Sequence, residues 1–455
     1  MKHAYIQQLP DYSDEIHIMV KERSQWACQM NLFASSDLPP ASSGDLAGQE
    51  AVSVNFREIV SEIQDTSYLT HSLFYYPAKF IPHVPYYCVR HFCPENGWVI
   101  DPFAGSGTVG LEAVLANRNA VLLDINPLLK HIVELKINFR RTDIDESALF
   151  ERIQEMLKSK DEFEPVWTNI DYWYSAELLK VLKRYWGWIY RNVDDIYAPI
   201  IQCGLLRASR RFSLADHKAP KLFRSRAKLR EMEQLLRAGW QTMLNQFVWD
   251  RSLDTLRRVR ALATLMHGRP YRTVAMAGVD ASSVDLSDIS EVDLVLTSPP
   301  YMQAQEYIRT FKLDLFWLGY SEEYVKAVSR LEIPYRKAPE QFHSPTFMRV
   351  YNLIERKDLR DIMNSYFYYT TAALRNVAMK LKQGGYLCVF VGNPRVDGIE
   401  VETWRIIAEY FEVLRFSIHG VYEDSIKNRQ LFRGRRNKNP EGMSSEFLLI
   451  MRREW

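Results

Sequence analysis

The sequence has few of the features that mark secreted, membrane-bound or metal-stabilised proteins. Its five cysteines are scattered, and neither a Cys-x-x-Cys pair nor a cysteine–histidine ligand spacing occurs. A disulfide framework and a zinc site are therefore not supported, and we predict no metal. No apolar run approaches the length of a membrane-spanning helix, and the first residues lack the apolar segment of a signal peptide. We therefore expect a cytoplasmic protein with no membrane partner.

An excess of charge of one sign is also missing. The 455 residues include 58 lysines and arginines against 56 aspartates and glutamates, which gives a formal net charge of +2. Any nucleic-acid footprint must therefore be local. A hydrophobic content of 47% and a charged content of 25% are ordinary for a folded protein. The length predicts either one large core with an insertion or two domains.

A glycine turn between two short apolar runs is the clearest motif. Residues 97–103 predict a strand, and Ala104-Gly-Ser-Gly-Thr-Val-Gly110 predicts a tight turn that opens a helix. Glycines at 105 and 107 let the backbone pass close under a ligand, and amide groups at a helix start favour a polar or anionic group. A second strand, 120–124, ends in Asp124, where a carboxylate can accept hydrogen bonds from ribose hydroxyls. The pattern predicts a nucleotide-cofactor site.

A second motif, Thr297-Ser-Pro-Pro-Tyr301, follows another short apolar run. Residues 293–296 predict a buried strand, so Ser298 lies where a parallel strand ends, which is where open α/β sheets bind ligands. Two consecutive prolines forbid helix and fix an extended turn. A hydroxyl, a rigid carbonyl and the ring of Tyr301 thus converge, which suits a planar ring that bears an amino group. A rigid Pro-Pro turn before a helix is the plainer alternative.

Both motifs resemble those of one enzyme family. Asp101-Pro-Phe-Ala-Gly-Ser-Gly-Thr108 is similar to the Asp-Pro-Phe-x-Gly-Ser-Gly-Thr signature of amino-group DNA methyltransferases. Ser298-Pro-Pro-Tyr301 resembles the catalytic motif of the family, in the form most often found in members that methylate N4 of cytosine. The resemblance implies S-adenosylmethionine as cofactor. The catalytic residues that it implies are Ser298, Pro299, Pro300 and Tyr301.

The resemblance also implies a fold, namely a doubly wound α/β, Rossmann-like methyltransferase sheet of seven strands with a large helical insertion. Residues 97–103, 120–124, 271–277 and 293–296 supply four strands, and residues 384–394, 412–418 and 446–451 predict the remaining three. We assign residues 1–60 to an N-terminal arm or linker. Residues 61–140 and 271–455 form the predicted methyltransferase core, and residues 141–270 form the insertion, with a target-recognition role.

Further residues are similar to cofactor-binding positions of the family. The Pro-Ala-Lys-Phe run that ends at Phe80 resembles the segment that covers the methionine part of the cofactor, where Lys79 would pair with a carboxylate. Asp280 resembles the acidic residue beside the cofactor adenine, although a helix cap or turn is the alternative. The implied cofactor-binding residues are Tyr76, Pro77, Lys79, Phe80, Asp101, Pro102, Phe103, Gly105, Gly107, Thr108, Asp124, Ile125 and Asp280.

The implied reaction is direct methyl transfer to an exocyclic amine. Such an amine is a poor nucleophile because its lone pair is delocalised into the ring. Ser298 Oγ and the Pro299 carbonyl would hold both amino hydrogens and favour a pyramidal nitrogen whose lone pair faces the methyl group. Because the amine is paired inside a duplex, the base must be extruded or already single-stranded.

Two basic runs, one in the insertion and one in a Gly-containing loop near the C-terminus, predict phosphate contacts. A solvated helix face or loop is the alternative reading. The candidate DNA-binding residues are Arg207, Arg210, Arg211, Arg433, Arg435 and Arg436.

These observations favour a DNA methyltransferase that acts on cytosine N4, in a restriction–modification or phage-defence system with its partner proteins. An adenine N6 or RNA substrate is the first alternative, because the glycine motif precedes the catalytic motif and many cytosine-N4 members have the opposite order. A non-catalytic, cofactor-binding recognition subunit is the second. A nicotinamide-dependent dehydrogenase is the third, since the turn is formally Gly-x-Gly-x-x-Gly, but that reading leaves the Ser-Pro-Pro-Tyr motif unexplained.

Overall fold

The computed structural model describes residues 38–39, 46–216, 222–302, 306–333, 336–425, 443 and 445–454. The strands in these ranges are β1 (Val52–Val54), β2 (Trp98–Asp101), β3 (Asn119–Asp124), β4 (Thr273–Ala277), β5 (Val292–Thr297), β6 (Leu381–Gly392), β7 (Arg395–Val396), β8 (Ile399–Glu400), β9 (Phe416–Ser425) and β10 (Ser445–Arg453).

The helices of the described ranges flank these strands and fill the segment between β3 and β4. They are α1 (Phe56–Ile59), α2 (His83–Phe92), α3 (Thr108–Leu115), α4 (Leu128–Lys136), α5 (Glu146–Lys158), α6 (Ala176–Arg191), α7 (Ala198–Arg211), α8 (Arg226–Arg237), α9 (Trp240–Leu265), α10 (Tyr307–Thr310), α11 (Lys312–Trp317), α12 (Glu322–Ser329), α13 (Pro345–Leu353), α14 (Lys357–Ala378) and α15 (Thr403–Val413). None of them combines the length and the apolar character that a bilayer-spanning helix needs.

One large sheet joins the strands in the order β1-β9-β10-β6-β5-β2-β3-β4, and β7 and β8 form a separate hairpin. Within the large sheet β10 is antiparallel to β6 and β9, and the other neighbouring pairs for which a register is given are parallel. The parallel-dominated α/β architecture predicted from the sequence is therefore present.

The strand count predicted from the sequence is wrong, because the sheet has eight strands rather than seven within the described ranges. The additional strand is β1, which pairs with β9 at the sheet edge and lies in the segment assigned to an N-terminal arm. Its three residues, Val-Ser-Val, alternate between apolar and polar, but the alternation is too short to predict a strand. The sixth predicted strand, 412–418, is also displaced, since α15 continues to Val413 and β9 begins at Phe416.

Helices cover both faces of the large sheet. Successive residues of a strand point to opposite faces, and in β2 Val99 joins the core cluster that contains α2 and α3, whereas Ile100 joins the cluster that contains α14 and α15. In β5 Leu294 and Val295 divide in the same way. Strands β2 and β5 are therefore buried on both faces, which explains why each is a continuous apolar run in the sequence.

Helices α5 to α9 share a core with the segment that follows the Ser-Pro-Pro-Tyr motif. Leu149, Leu182 and Leu256 from the helical region belong to the same hydrophobic cluster as Trp317 of α11. The rings of Trp186 and Trp317 stack with centroids 5.6 Å apart. The boundaries and the recognition role assigned to residues 141–270 stay predictions.

Gly110 allows α3 to pack closely on β3. A Cβ at this position would lie 2.5 Å from Leu122 Cδ1 and 3.0 Å from Ile137 Cδ1, in the buried core. We expect Gly110→Ala to lower the free energy of unfolding by about 1–3 kcal/mol, the usual cost of overpacking, in chemical denaturation. Gly48→Ala is the control, because a Cβ there meets nothing within 4 Å. Equal stability of the two variants would contradict the prediction.

Candidate active site

The two motifs start at neighbouring strand ends. β2 and β5 pair in parallel, with Ile100 opposite Val295, so the carboxyl ends of both strands lie at one edge of the sheet. Thr297 Oγ1 donates a hydrogen bond to Asp101 Oδ1 over 2.6 Å, and both side chains are buried. The glycine turn that follows β2 and the proline turn that follows β5 are therefore joined directly at the sheet edge where parallel α/β folds bind ligands.

Asp124 holds the glycine turn in place. Its Oδ2 accepts a hydrogen bond from the Gly105 amide and its Oδ1 accepts one from the Asn126 amide, each over 2.7 Å. Gly105 and Gly107 have φ of +50° and +70°, values that favour glycine. Because each carboxylate oxygen can accept more than one hydrogen bond, Asp124 can fix the turn and still accept from a ribose hydroxyl.

The ring of Tyr76 covers the glycine turn. A Cβ at Gly105 would lie 3.2 Å from Tyr76 Cε1. The Tyr76 ring also stacks on the Tyr307 ring, with centroids 5.8 Å apart. Its centroid lies 4.9 Å from the centroid of the Phe311 ring. The sequence analysis selected Tyr76 but missed Tyr307 and Phe311, which follow the Ser-Pro-Pro-Tyr motif. The aromatic character of that segment was the available signal.

The remaining residues of the Pro-Ala-Lys-Phe segment contact the protein itself. Lys79 Nζ donates a hydrogen bond to the His71 carbonyl over 3.1 Å. Phe80 stacks on Phe390 of β6, with centroids 5.4 Å apart, and Pro77 is buried. The pairing of Lys79 with a ligand carboxylate stays a prediction.

The other selected residues around the glycine turn make contacts within the protein. Pro102 is buried, and Phe103 packs against the core cluster of α14 and α15. Thr108 Oγ1 lies 3.1 Å from Ser106 Oγ, and both are buried. Ile125 packs against the core of the helical region.

Asp280 forms a turn and an ion pair. Its Oδ1 accepts hydrogen bonds from the amide and the hydroxyl of Ser282, over 2.9 and 2.7 Å. Arg336 Nη1 lies 2.7 Å from Oδ2, and the guanidinium stacks over Tyr369 at 3.6 Å from the ring centroid. The turn considered as the alternative role is therefore present, and the contact with a cofactor adenine stays a prediction.

Lys136 supports the turn from the core, and the sequence analysis missed it. This lysine is buried, and its Nζ donates a hydrogen bond to the Ser106 carbonyl over 2.6 Å. Burial lowers its pKa well below the ordinary value of a lysine. Its position in α4 gave a weak signal, because a lysine at the end of a helix is usually solvent-exposed.

Burial disfavours the charged form of the two acids beside the turn. It raises the pKa of Asp101 to about 7, against the opposing effect of hydrogen bonds from Thr297 and the Phe103 amide. It raises the pKa of Asp124 to about 6, against the hydrogen bonds from Asn126 and Gly105. A cationic ligand beside these carboxyls would favour their ionised forms.

Tyr301 is held at both ends of its side chain. Its hydroxyl donates a hydrogen bond to Glu446 of β10, and the neighbouring Ser298 side chain lowers the pKa of the phenol. The ring lies against β6, since a Cβ at Gly392 would be 3.6 Å from Tyr301 Cε2. Pro299 is buried and Pro300 is half-buried, which fixes the turn between Ser298 and Tyr301. The sequence analysis did not select Glu446.

The arginines of α7 that were selected as DNA-binding candidates have carboxylate partners. Arg207 Nη1 lies 3.8 Å from Asp254, Arg210 Nη1 lies 3.2 Å from Asp314, and Arg211 Nη1 lies 2.6 Å from Glu231. The other candidates, Arg433, Arg435 and Arg436, lie outside the described residues. Phosphate contacts by both groups stay predictions.

No cluster of three or more histidine, cysteine, aspartate or glutamate side chains in the described part of the chain is arranged to hold a metal ion.

Comparisons with known proteins agree on one class of enzyme. Residues 12–135 match a family model described as DNA methylase. The chain is 22% identical over 433 residues to the Type II methyltransferase M.MvaI of Kocuria varians, a match that covers 85% of this chain and 92% of that protein.

Two more relatives match shorter parts. The Type II methyltransferase M.MjaII of Methanocaldococcus jannaschii is 32% identical over 130 residues, which are 28% of this chain and 23% of that protein. The Type II methyltransferase M.BsoBI of Geobacillus stearothermophilus is 22% identical over 298 residues, which are 61% of this chain and 58% of that protein.

Proposed function

We propose that this chain, whose family match and Type II relatives support an amino-methyltransferase family, methylates N4 of cytosine in DNA. Methyltransferases of this family use S-adenosylmethionine. The observation that carries the proposal is the hydrogen bond between Thr297 and Asp101. It joins the turn that would bind the cofactor to the turn that would hold the target amine.

The residues at the glycine turn fit S-adenosylmethionine. The close approach of Tyr76 to Gly105 forms a narrow cradle that a side chain at position 105 would fill. The buried carboxyl of Asp101 and the half-buried carboxyl of Asp124 flank the glycine turn and suit a ligand with positive charge. In our proposal Asp124 accepts from the ribose and Lys79 pairs with the carboxylate. When bound, the cofactor supplies an electrophilic methyl group.

The proline turn would activate the amine. Ser298 Oγ and the Pro299 carbonyl accept its two hydrogens, which favours a pyramidal nitrogen with its lone pair directed at the methyl group. Tyr301 contributes an aromatic face for stacking. The target base must be extruded from the duplex, at a cost of a few kcal/mol, or must already be single-stranded.

Serine in the first position of the motif supports cytosine N4 as the target. The chain order, with the glycine turn first, favours adenine N6 as the second candidate. We further propose that residues 141–270 contribute to target recognition with phosphate contacts from their arginines. A cytoplasmic restriction–modification system is the proposed setting, as the Type II relatives suggest.

The proposal is tested by incubating the protein with radiolabelled S-adenosylmethionine and either duplex DNA or RNA, and then digesting each nucleic acid to nucleosides. We expect the label in N4-methyl-2′-deoxycytidine. Label in N6-methyl-2′-deoxyadenosine would replace cytosine by adenine as the target, and label only in the RNA reaction would overturn the DNA assignment. Binding of cofactor without transfer to any nucleic acid would support a recognition subunit.

A further inference from the structure

A glutamate on the antiparallel strand reaches the proline turn. Glu446 stands at the start of β10, opposite Gly392 at the end of β6. Because β10 runs against β6, its first residues lie at the sheet edge where β5 and β6 end. The hydroxyl of Tyr301 donates a hydrogen bond to Glu446 Oε1. The proposed reaction has so far given this glutamate no role.

The Tyr301 hydroxyl is a donor in this pair. Burial and the nearby charge of Glu446 raise the pKa of Tyr301 well above its ordinary value, so the phenol keeps its hydrogen. The ring lies against β6, since Tyr301 Cε2 would be 3.6 Å from a Cβ at Gly392. The ring therefore contacts β6 while the hydroxyl is held by β10.

A fixed donor gives the hydrogen-bond chain a direction. The Glu446 side chain accepts from the phenol, which has one hydrogen to donate. Burial raises the pKa of Glu446, and the hydrogen bond from Tyr301 opposes that rise. With its hydrogen on Glu446, the Tyr301 hydroxyl can only accept from Ser298, a neighbour on the same turn that lowers the pKa of the phenol. The Ser298 hydrogen then points at Tyr301, and the remaining lone pairs of Ser298 Oγ are left for another donor.

We propose that Glu446 is a positioning residue that sets the direction of the chain from Ser298 through Tyr301, so that Ser298 accepts from the target amine. The inference rests on the proposed function and deepens it. Without the carboxylate, Tyr301 is free to donate to Ser298. The Ser298 hydrogen would then point at a hydrogen of the target amine. Ser298 and the amine would both be donors, and no hydrogen bond would form between them.

Substitution of Glu446 separates this role from general stability. We expect Glu446→Ala to lower kcat by about 10- to 100-fold, the factor that one hydrogen bond to a charged group can supply. The KM for S-adenosylmethionine should stay within about twofold, because the glycine turn is unchanged. Glu446→Gln should restore most of kcat, since its side-chain oxygen still accepts. Glu454→Ala is the control, as Glu454 also accepts from a hydroxyl, that of Ser417, beyond the far end of β10.

A double-mutant cycle on kcat, measured per folded protein, completes the test. Tyr301→Phe breaks the chain, so Glu446→Ala in that background should lower kcat by less than about twofold more. The full loss in that background, or no rescue by Glu446→Gln, would overturn the inference. An unchanged kcat in Glu446→Ala would also overturn it and would leave the proposed function intact. Absence of DNA methylation by the wild-type protein would overturn both.

Discussion

Ser298→Ala is expected to lower kcat for methyl transfer by about 10²- to 10³-fold, the usual effect of removing one pre-set electrostatic partner from an active site. The variant loses the acceptor that holds one amino hydrogen, and the Pro299 carbonyl alone cannot favour a pyramidal nitrogen. The affinity for S-adenosylmethionine should not change, because Ser298 lies on the turn after β5 and the cofactor would bind at the turn after β2. Rapid-quench measurement of a single turnover, with cofactor affinity from calorimetry, checks both parts.

Ser287→Ala provides the control for this substitution. Ser287 also donates its hydroxyl to a neighbouring side chain, Asp285, over 3.0 Å, but at an exposed position. The Ser287→Ala variant should retain full activity. Activity of Ser298→Ala within about threefold of the wild type would contradict the assigned role, because an effect that small is less than one hydrogen bond supplies.

The second large effect concerns pH. We expect the affinity for S-adenosylmethionine to rise as the pH increases from about 5 to 8, by up to tenfold per pH unit for each group that must lose a proton. Asp101, with a pKa of about 7, and Asp124, with a pKa of about 6, are the groups beside the glycine turn. Glu332, which interacts with Asp124 and whose pKa burial raises to about 7, acts in the same direction. Calorimetric titrations across this range measure the effect.

The stability of the free protein should change in the opposite sense. A carboxyl whose pKa is higher in the folded than in the unfolded state stabilises the fold at low pH, and this contribution is lost as the pH rises through the folded value. For Asp101 and Asp124 the loss falls between about pH 4 and 7, from the ordinary value of 3.8 to the raised values. Bound cofactor should therefore raise the melting temperature more at pH 8 than at pH 5.

Asp124→Asn separates the contribution of Asp124 from that of Asp101. An amide can accept through only one of its two polar atoms, so one of the hydrogen bonds from Gly105 and Asn126 is lost. We expect the cofactor affinity at pH 8 to fall by at least about tenfold, the value of one hydrogen bond to a charged group. The remaining pH dependence should follow Asp101 and Glu332, whose pKa values are both raised to about 7. A pH-independent affinity in the wild-type protein would contradict the assigned charge pairing.

The sequence predicted the parts of the site that depend on local chain geometry. Gly105 and Gly107 are recognisable because a ligand-binding turn needs glycine at positive φ, and Pro299 and Pro300 are recognisable because they exclude a helix. The strands before both turns are buried on both faces, so their apolar runs were visible. These features indicated that each motif follows the end of a strand, whereas the pairing of the two strands is a finding of the structure.

The partners of these motifs could not be predicted in the same way. Tyr301 and Glu446 are 145 positions apart, and their contact depends on the register between β6 and β10. A pattern of alternating residues shows which face of the sheet a side chain occupies, but not which residue of the neighbouring strand lies opposite it. Lys136 was missed for a related reason, since its partner is a backbone carbonyl, which every residue has.

The stacking of Trp186 on Trp317 limits how residues 141–270, the region proposed to recognise the target, could be exchanged between relatives. A chimera that replaces residues 146–265 alone would cut through a shared core and leave Trp317 packed against a foreign helix. Swapping α5 to α9 together with residues 307–329 keeps that interface intact. A chimera that tests the proposed recognition role should therefore exchange these two segments, distant in sequence, as one unit.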